Sequence, residues 1–437
     1  MHSSTIVDAI VHSRRQELMK IAVDHLRMKG VSNVLTPATI TACIEALDRF
    51  PKGLLVLDWE LGAPQVARLL GHNRRRFDGQ LRPIMLVASQ VSTEVIAAAA
   101  EYGVSQIFTE ALTPKNLGAR LTALVIAESM PNEIKRVLND VHDARASGDG
   151  KQALAHLQKA LKAHPGHVRL KCEAAEALLE LGQADKALQL LEGVNLNKPP
   201  YLRGIHLYGR CLLKLGRTEE ALPVLEQAQL FNPHDAERLV EIGQALLQMD
   251  RLREAREAFD HANSVDPDFR PARAGQGQCL LMDGQVNEAL GVLKEVANVH
   301  EIASLFNTCA VLNMRRGRHE AGMHLYQSAL GALGKDERLQ ARLYFNMGLG
   351  YRRWSKKDKA RQCFETSSRL DPSFAKAKEQ MTALDEKMRQ PDAAATDEAT
   401  TDPSELAVYG SDLDSLFGDD AEESLFGQPP PSRKKPA

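Results

Sequence analysis

Gly150-Lys151, within GDGKQAL (148–154), is the pair in this chain nearest to a phosphate-gripping loop, in which backbone N–H groups and a lysine hold phosphate oxygens. The pattern fails at both ends, because no glycine stands five residues before Gly150 and no Ser or Thr follows Lys151. Gly275 and Gly277 have the spacing of a dinucleotide turn, but they follow no strand and fall inside a helical pattern. The six cysteines (Cys43, Cys172, Cys211, Cys279, Cys309 and Cys363) form no C-x-x-C pair, so neither a zinc site nor a disulfide framework is expected. Arg74-Arg75-Arg76 follows His72-Asn73 in what reads as a loop. Such a run could meet phosphates or an acidic partner, although adjacent arginines more often serve solubility. Ser-Leu-Phe-Gly occurs twice near the end of the chain, carrying Leu416 and Phe417, then Leu425 and Phe426, among carboxylates. Apolar anchors in an acidic, low-complexity stretch suit a segment that orders on a partner's groove.

The bulk composition narrows the classes further. With 437 residues there is room for about three domains or one extended array. Aromatics are 5%, so cores must be built from Ala, Leu and Val, which disfavours a compact all-β protein. Lys and Arg number 55 against 57 Asp and Glu, a formal net charge of −2, which gives no argument for nucleic acid or for membrane binding. That near-neutrality is a cancellation: residues 391–437 carry eleven acidic and three basic side chains, net −8, leaving +6 on the rest. No run approaches eighteen apolar residues, and the opening MHSSTIVDAIVHSRRQ lacks a secretory pattern, so a soluble, cytoplasmic protein without membrane insertion is expected.

A repeat organises the middle of the chain. Ala153, Ala187, Ala221, Ala255 and Ala289 stand 34 residues apart, and a small residue (Ala175, Gly209, Gly243, Gly277) precedes each of the last four by twelve. Pro165, Pro199, Pro233 and Pro267 follow the first four alanines by twelve. Small residues belong where two helices cross closely, and proline belongs where the second helix must stop. Leu157, Leu191, Leu225, Phe259 and Phe364 each sit four residues beyond the second small position, on the same helix face.

This pattern resembles the tetratricopeptide repeat (TPR), a helix–turn–helix of 34 residues, over about seven units in 131–372, with 373–389 as a capping helix. Tyr344, Met347, Gly348, Tyr351, Ala360, Phe364 and Pro372 fill the motif's slots in the seventh unit. The resemblance implies an α-solenoid whose groove holds a peptide or protein. On that face the third unit would present Arg203, His206, Arg210 and Lys214, and the seventh Arg342, Asn346 and Arg353.

Before the repeats, GLLVLDWEL (53–61) and RPIMLVASQ (82–90) read as strands covered on both faces, with helical stretches between them. Alternating strand and helix predicts an α/β domain over 1–130 with about five parallel strands. Residues 5–128 resemble the receiver domain of bacterial response regulators, a flavodoxin-like fold. The resemblance makes Asp58 the possible phosphoacceptor and Ser13, Arg14, Ser89 and Glu110 the surrounding pocket. It also implies that phosphorylation of Asp58 would need magnesium, yet the acid-pair positions read His12-Ser13-Arg14-Arg15, without a carboxylate. Glu110 stands near where a lysine is expected and would repel a phosphoryl group, while Arg14 could stand in for part of the metal's charge.

The expectation is therefore a degenerate receiver fused to a TPR array, followed by an acidic, unstructured tail (390–437): a non-enzymatic signalling adaptor with no metal and no cofactor. Its partners would be proteins, such as a sensor kinase, another response regulator or a motility or chemotaxis component. The alternatives are a genuine Asp58 phosphorylation switch and an assembly or chaperone-like scaffold outside two-component signalling.

Overall fold

The computed structural model describes residues 6–77, 82–129, 133–192, 201–333 and 336–389. The described chain divides into two compact units. One comprises residues up to 249 together with His261–Pro267, and the other Asp250–Asp260 together with residues from 268 onward.

The first unit opens with a parallel sheet of β1 (Asp8–His12), β2 (Asn33–Leu35), β3 (Leu54–Asp58), β4 (Ile84–Val87) and β5 (Gln106–Phe108) in the order β2-β1-β3-β4-β5. That is the doubly wound, flavodoxin-like order. Helices α1 (Gln16–Met28), α2 (Ile40–Arg49), α3 (Ala63–Phe77) and α4 (Thr93–Glu101) make the four crossovers, and α5 (Pro114–Ser129) follows the last strand. The continuous apolar runs of β3 and β4 are explained by two cores. Leu55, Leu57, Ile84 and Leu86 pack with Leu47, Val66 and Leu70, while Leu54, Val56, Met85 and Val87 pack with Leu18, Leu26 and Leu121. β2 is short and only partly buried, which is why its sequence signal is poor.

Helix pairs of repeat type follow: α6 (Glu133–Ala146) with α7 (Gly150–Ala163), α8 (Val168–Glu180) with α9 (Ala184–Glu192), and α10 (Leu202–Lys214) with α11 (Thr218–Phe231). Then come α12 (Ala236–Gln248), α13 (Leu252–Val265), α14 (Arg270–Met282), α15 (Val286–Val296), α16 (Val299–Arg315), α17 (His319–Ala332), α18 (Glu337–Arg353), α19 (Lys357–Leu370) and α20 (Ala375–Arg389). The five alanines of the 34-residue ladder have no exposed surface. At the crossings the fit is tight: a Cβ added to Gly209 would lie 2.6 Å from Leu225, and one on Gly348 2.5 Å from the Phe364 ring. Helices α7, α11, α13 and α19 each end two residues before a proline. Among the described residues no helix is long and apolar enough to cross a membrane.

Candidate functional site

In a doubly wound sheet, ligands gather beyond the carboxyl ends of the strands where the strand order reverses, here between β1 and β3. Asp58 ends β3 at that point and is fully buried. Its carboxylate is saturated. Ser13 Oγ donates to Oδ2 at 2.5 Å, Arg15 Nε donates to Oδ2 at 2.8 Å, and Arg15 Nη2 donates to Oδ1 at 2.6 Å. The Glu60 backbone N–H adds a bond to Oδ1 at 3.1 Å. A bidentate guanidinium is the strongest neutral-pH clamp a side chain can offer a carboxylate.

The cation on Asp58 is therefore Arg15, whereas the expected Arg14 is exposed. Arg15 immediately precedes α1 and turns back over the sheet end, and the neighbouring position points outward. Ser89 is exposed. Glu110 is exposed and spent on Arg120, whose Nη2 lies 2.5 Å away. Of the pocket residues named from sequence, only Ser13 touches Asp58. His12 is buried, with Nδ1 2.8 Å from the Pro37 carbonyl, and burial holds its pKa below the usual imidazole value.

A second site was not legible in the sequence. Helix α3 runs on to Phe77, so Arg74, Arg75 and Arg76 belong to its last turns and not to a loop. Within the first unit, Arg74 Nη2 lies 2.7 Å from Glu237 and 3.2 Å from Asp235, and Arg75 Nη2 lies 2.5 Å from Asp266. Arg68, two turns earlier, adds a 3.2 Å contact to Asp266. Helix α4 joins the same interface. Glu101 pairs with Arg238 and accepts from Asn232 Nδ2 at 2.5 Å, and both members of the Glu101–Arg238 pair are fully buried. Ala97 packs with Leu202, Ile205 and Ala228 in a small apolar core. Burial alone would raise the carboxyl of Asp235, but Arg74 and Arg238 outweigh it and hold it far below the usual range. Against the same penalty, Arg74 and Arg210 lower Glu237 to about 2.

The third-unit stripe feeds into this network. Arg203 Nη1 lies 2.7 Å from Glu173 and its Nη2 2.6 Å from Glu176. His206 Nε2 lies 2.5 Å from Glu241, and Arg210 Nε lies 3.0 Å from the same residue. Only Lys214 is exposed. The expected basic face is thus already matched by repeat carboxylates.

Glu101, His206 and Asp235 bring their ligand atoms within 4.8 Å of one another, a spacing that a metal ion could bridge. Their donors do not fit one, because Arg238, Arg74 and Glu241 already hold them and the two guanidiniums would repel a cation.

In the second unit, α18 carries Arg342, Asn346 and Arg353 on one face, as their spacing predicts. Asn346 is buried. Its Nδ2 donates to Asn307 Oδ1 at 3.0 Å, and Tyr326 donates to the same oxygen at 2.6 Å. A cleft lined by Val311, Met314, Tyr326, Asn346, Leu349 and Arg353 opens beside them. The tail residues Leu416, Phe417, Leu425 and Phe426 lie outside the described residues.

Family models of the tetratricopeptide repeat match residues 144–205, 212–279 and 341–374, so these stretches are tetratricopeptide repeats. No curated protein matches the chain. Among solved structures, it is similar to a tetratricopeptide repeat protein from Parabacteroides merdae at 19% identity and a TM-score of 0.39, covering 57% of this chain and 98% of that one. It is also similar to MamA from Desulfovibrio magneticus RS-1 at 23% identity and a TM-score of 0.33, covering 38% and 94%. The repeats indicate a protein-interaction scaffold.

Proposed function

We propose that this chain is a non-enzymatic adaptor of the response-regulator type, in which a receiver-like α/β domain serves as a fixed structural partner of the repeats and not as a phosphorylation switch. The observation that carries this is the Arg15–Asp58 clamp. A carboxylate that accepts four hydrogen bonds, two of them from one guanidinium, has each of its lone pairs facing a donor, which lowers its nucleophilicity toward phosphorus and blocks the approach. No carboxylate occupies positions 12–15, so the usual magnesium-binding acids have no counterpart there. Signalling output then passes through protein contacts made by the repeats, with a kinase, a second regulator or a motility component as the class of partner.

The test is intact mass after incubation with acetyl phosphate and magnesium. The expected result is no phosphoryl adduct. An adduct that disappears in Asp58→Ala would establish a working switch and overturn the proposal.

A further inference from the structure

Arg342 and Arg353 make no ion pair with any described residue, unlike the arginines of the third unit. Between them on α18, Asn346 is 1% exposed and its Oδ1 has no hydrogen-bond partner among the described residues. Asn307 takes the amide Nδ2, so the carbonyl oxygen lies beneath the surface of the cleft that Asn346 helps to line. Val311, Met314 and Leu349 give the cleft an apolar wall. Positive charge gathers beside it in Arg353 and Arg315, while Arg342 also acts on Asp371. Burial first, then the like charge of Arg353, holds the Arg315 guanidinium below its usual pKa.

The occupant that fits is acidic, extended and apolar at one or two positions. Residues 411–428 of this chain have that chemistry: Leu416-Phe417 and Leu425-Phe426, flanked by Asp412, Asp414, Asp419, Asp420, Glu422 and Glu423. Position also favours it. The last described helix, α20, ends at Arg389, and its Gln380 bonds Arg352 of α18. The 25 residues from 390 to 414 could extend roughly 80–90 Å, several times the roughly 25 Å length of α18.

We propose that the Ser-Leu-Phe-Gly segment of the tail docks in cis on the α16–α18 face. A Leu or Phe side chain lies against Val311 and Leu349, and the flanking carboxylates pair with Arg342 and Arg353. This goes beyond the adaptor role, and its failure would leave that role standing, because the adaptor is tested by chemistry at Asp58.

The experiment uses the full chain with a photoreactive benzophenone side chain in place of Phe417 or Phe426. After irradiation, peptide mapping of the monomer fraction is expected to find an intrachain cross-link to residues 311–314 or 346–353. Arg342→Glu with Arg353→Glu is expected to lower its yield about tenfold, as is high salt. Arg353 is exposed and Arg342 half-buried, and circular dichroism checks that the variant keeps its helix content. Cross-links mapping elsewhere, cross-links only between chains, no cross-link, or an unchanged yield in the folded charge-reversed variant would each overturn the proposal.

Discussion

Arg238 of α12 and Glu101 at the end of α4 form an ion pair that has no solvent-exposed side-chain surface on either partner. They are 137 residues apart in sequence. Around them, Asn232 serves both, donating to Glu101 and accepting from Arg238 through its carbonyl at 2.7 Å. The N-terminal sheet domain and the repeats of the first unit are joined by a closed polar network as well as by the chain.

Removing one partner of such a pair strands the other. Arg238→Met is expected to cost about 3–5 kcal/mol, whereas the double variant Glu101→Leu with Arg238→Met regains most of that loss. Urea unfolding of the two single variants and the double variant measures the coupling. Simple additivity would show that the pair is not the joint.

The same interface makes a pH prediction. Glu237 is held at about 2, against an ordinary value of 4.5, and Asp235 is also held low. Carboxyls depressed in the folded state take up protons first in the unfolded state. Their stabilisation is therefore complete above about pH 4.5 and is lost as pH falls toward 2. Urea midpoints collected down this range should decline more steeply for the native chain than for Arg74→Met, which lacks the cation nearest both groups.

At the sheet end the two halves of the clamp are unequal. The Asp58 side chain is 1% exposed and that of Arg15 is 28% exposed. Arg15→Ala leaves a buried carboxylate with only Ser13 and one backbone N–H, and is expected to cost about 3 kcal/mol. Asp58→Ala releases an arginine that can swing into water, and is expected to cost about 1 kcal/mol. Thermal unfolding of the two variants should rank them in that order.

Two glycines should respond oppositely to the same change. A Cβ on Gly348 meets the buried Phe364 ring, so Gly348→Ala is expected to destabilise by about 1–3 kcal/mol through overpacking. Gly291, inside α15, has open space around its added Cβ, so Gly291→Ala is expected to stabilise by about 0.5–1 kcal/mol. Denaturant midpoints of the two variants decide the matter.

What was legible in the sequence were the features written locally. The ladder of small residues, the stopping prolines and the two continuous apolar strands each encode a contact made within one repeat or one sheet. Two errors came from positions where local pattern misleads. Gly71-His72-Asn73 interrupts the apolar period and suggests that α3 stops near Leu70, yet the helix continues and its arginines find carboxylates over 160 residues away. Arg14 and Arg15 are equally cationic, and only the turn into α1 decides which one faces Asp58. The carboxylates that take up Arg203, His206 and Arg210 lie on neighbouring helices, so a stripe that looks free in one repeat is occupied in the folded unit.

The tie between Glu101 and Arg238 has an evolutionary consequence. Repeat arrays lengthen and shorten by duplicating or deleting whole units, which is harmless wherever only nearest neighbours touch. Between residues 133 and 235 that freedom is gone. The intervening units are tied to the sheet domain twice, by the chain and by the buried pair, so an inserted or lost unit would pull Arg238 out of register with Glu101. Copy number in this stretch should be invariant among descendants of the gene, and variation in repeat count should fall later in the chain.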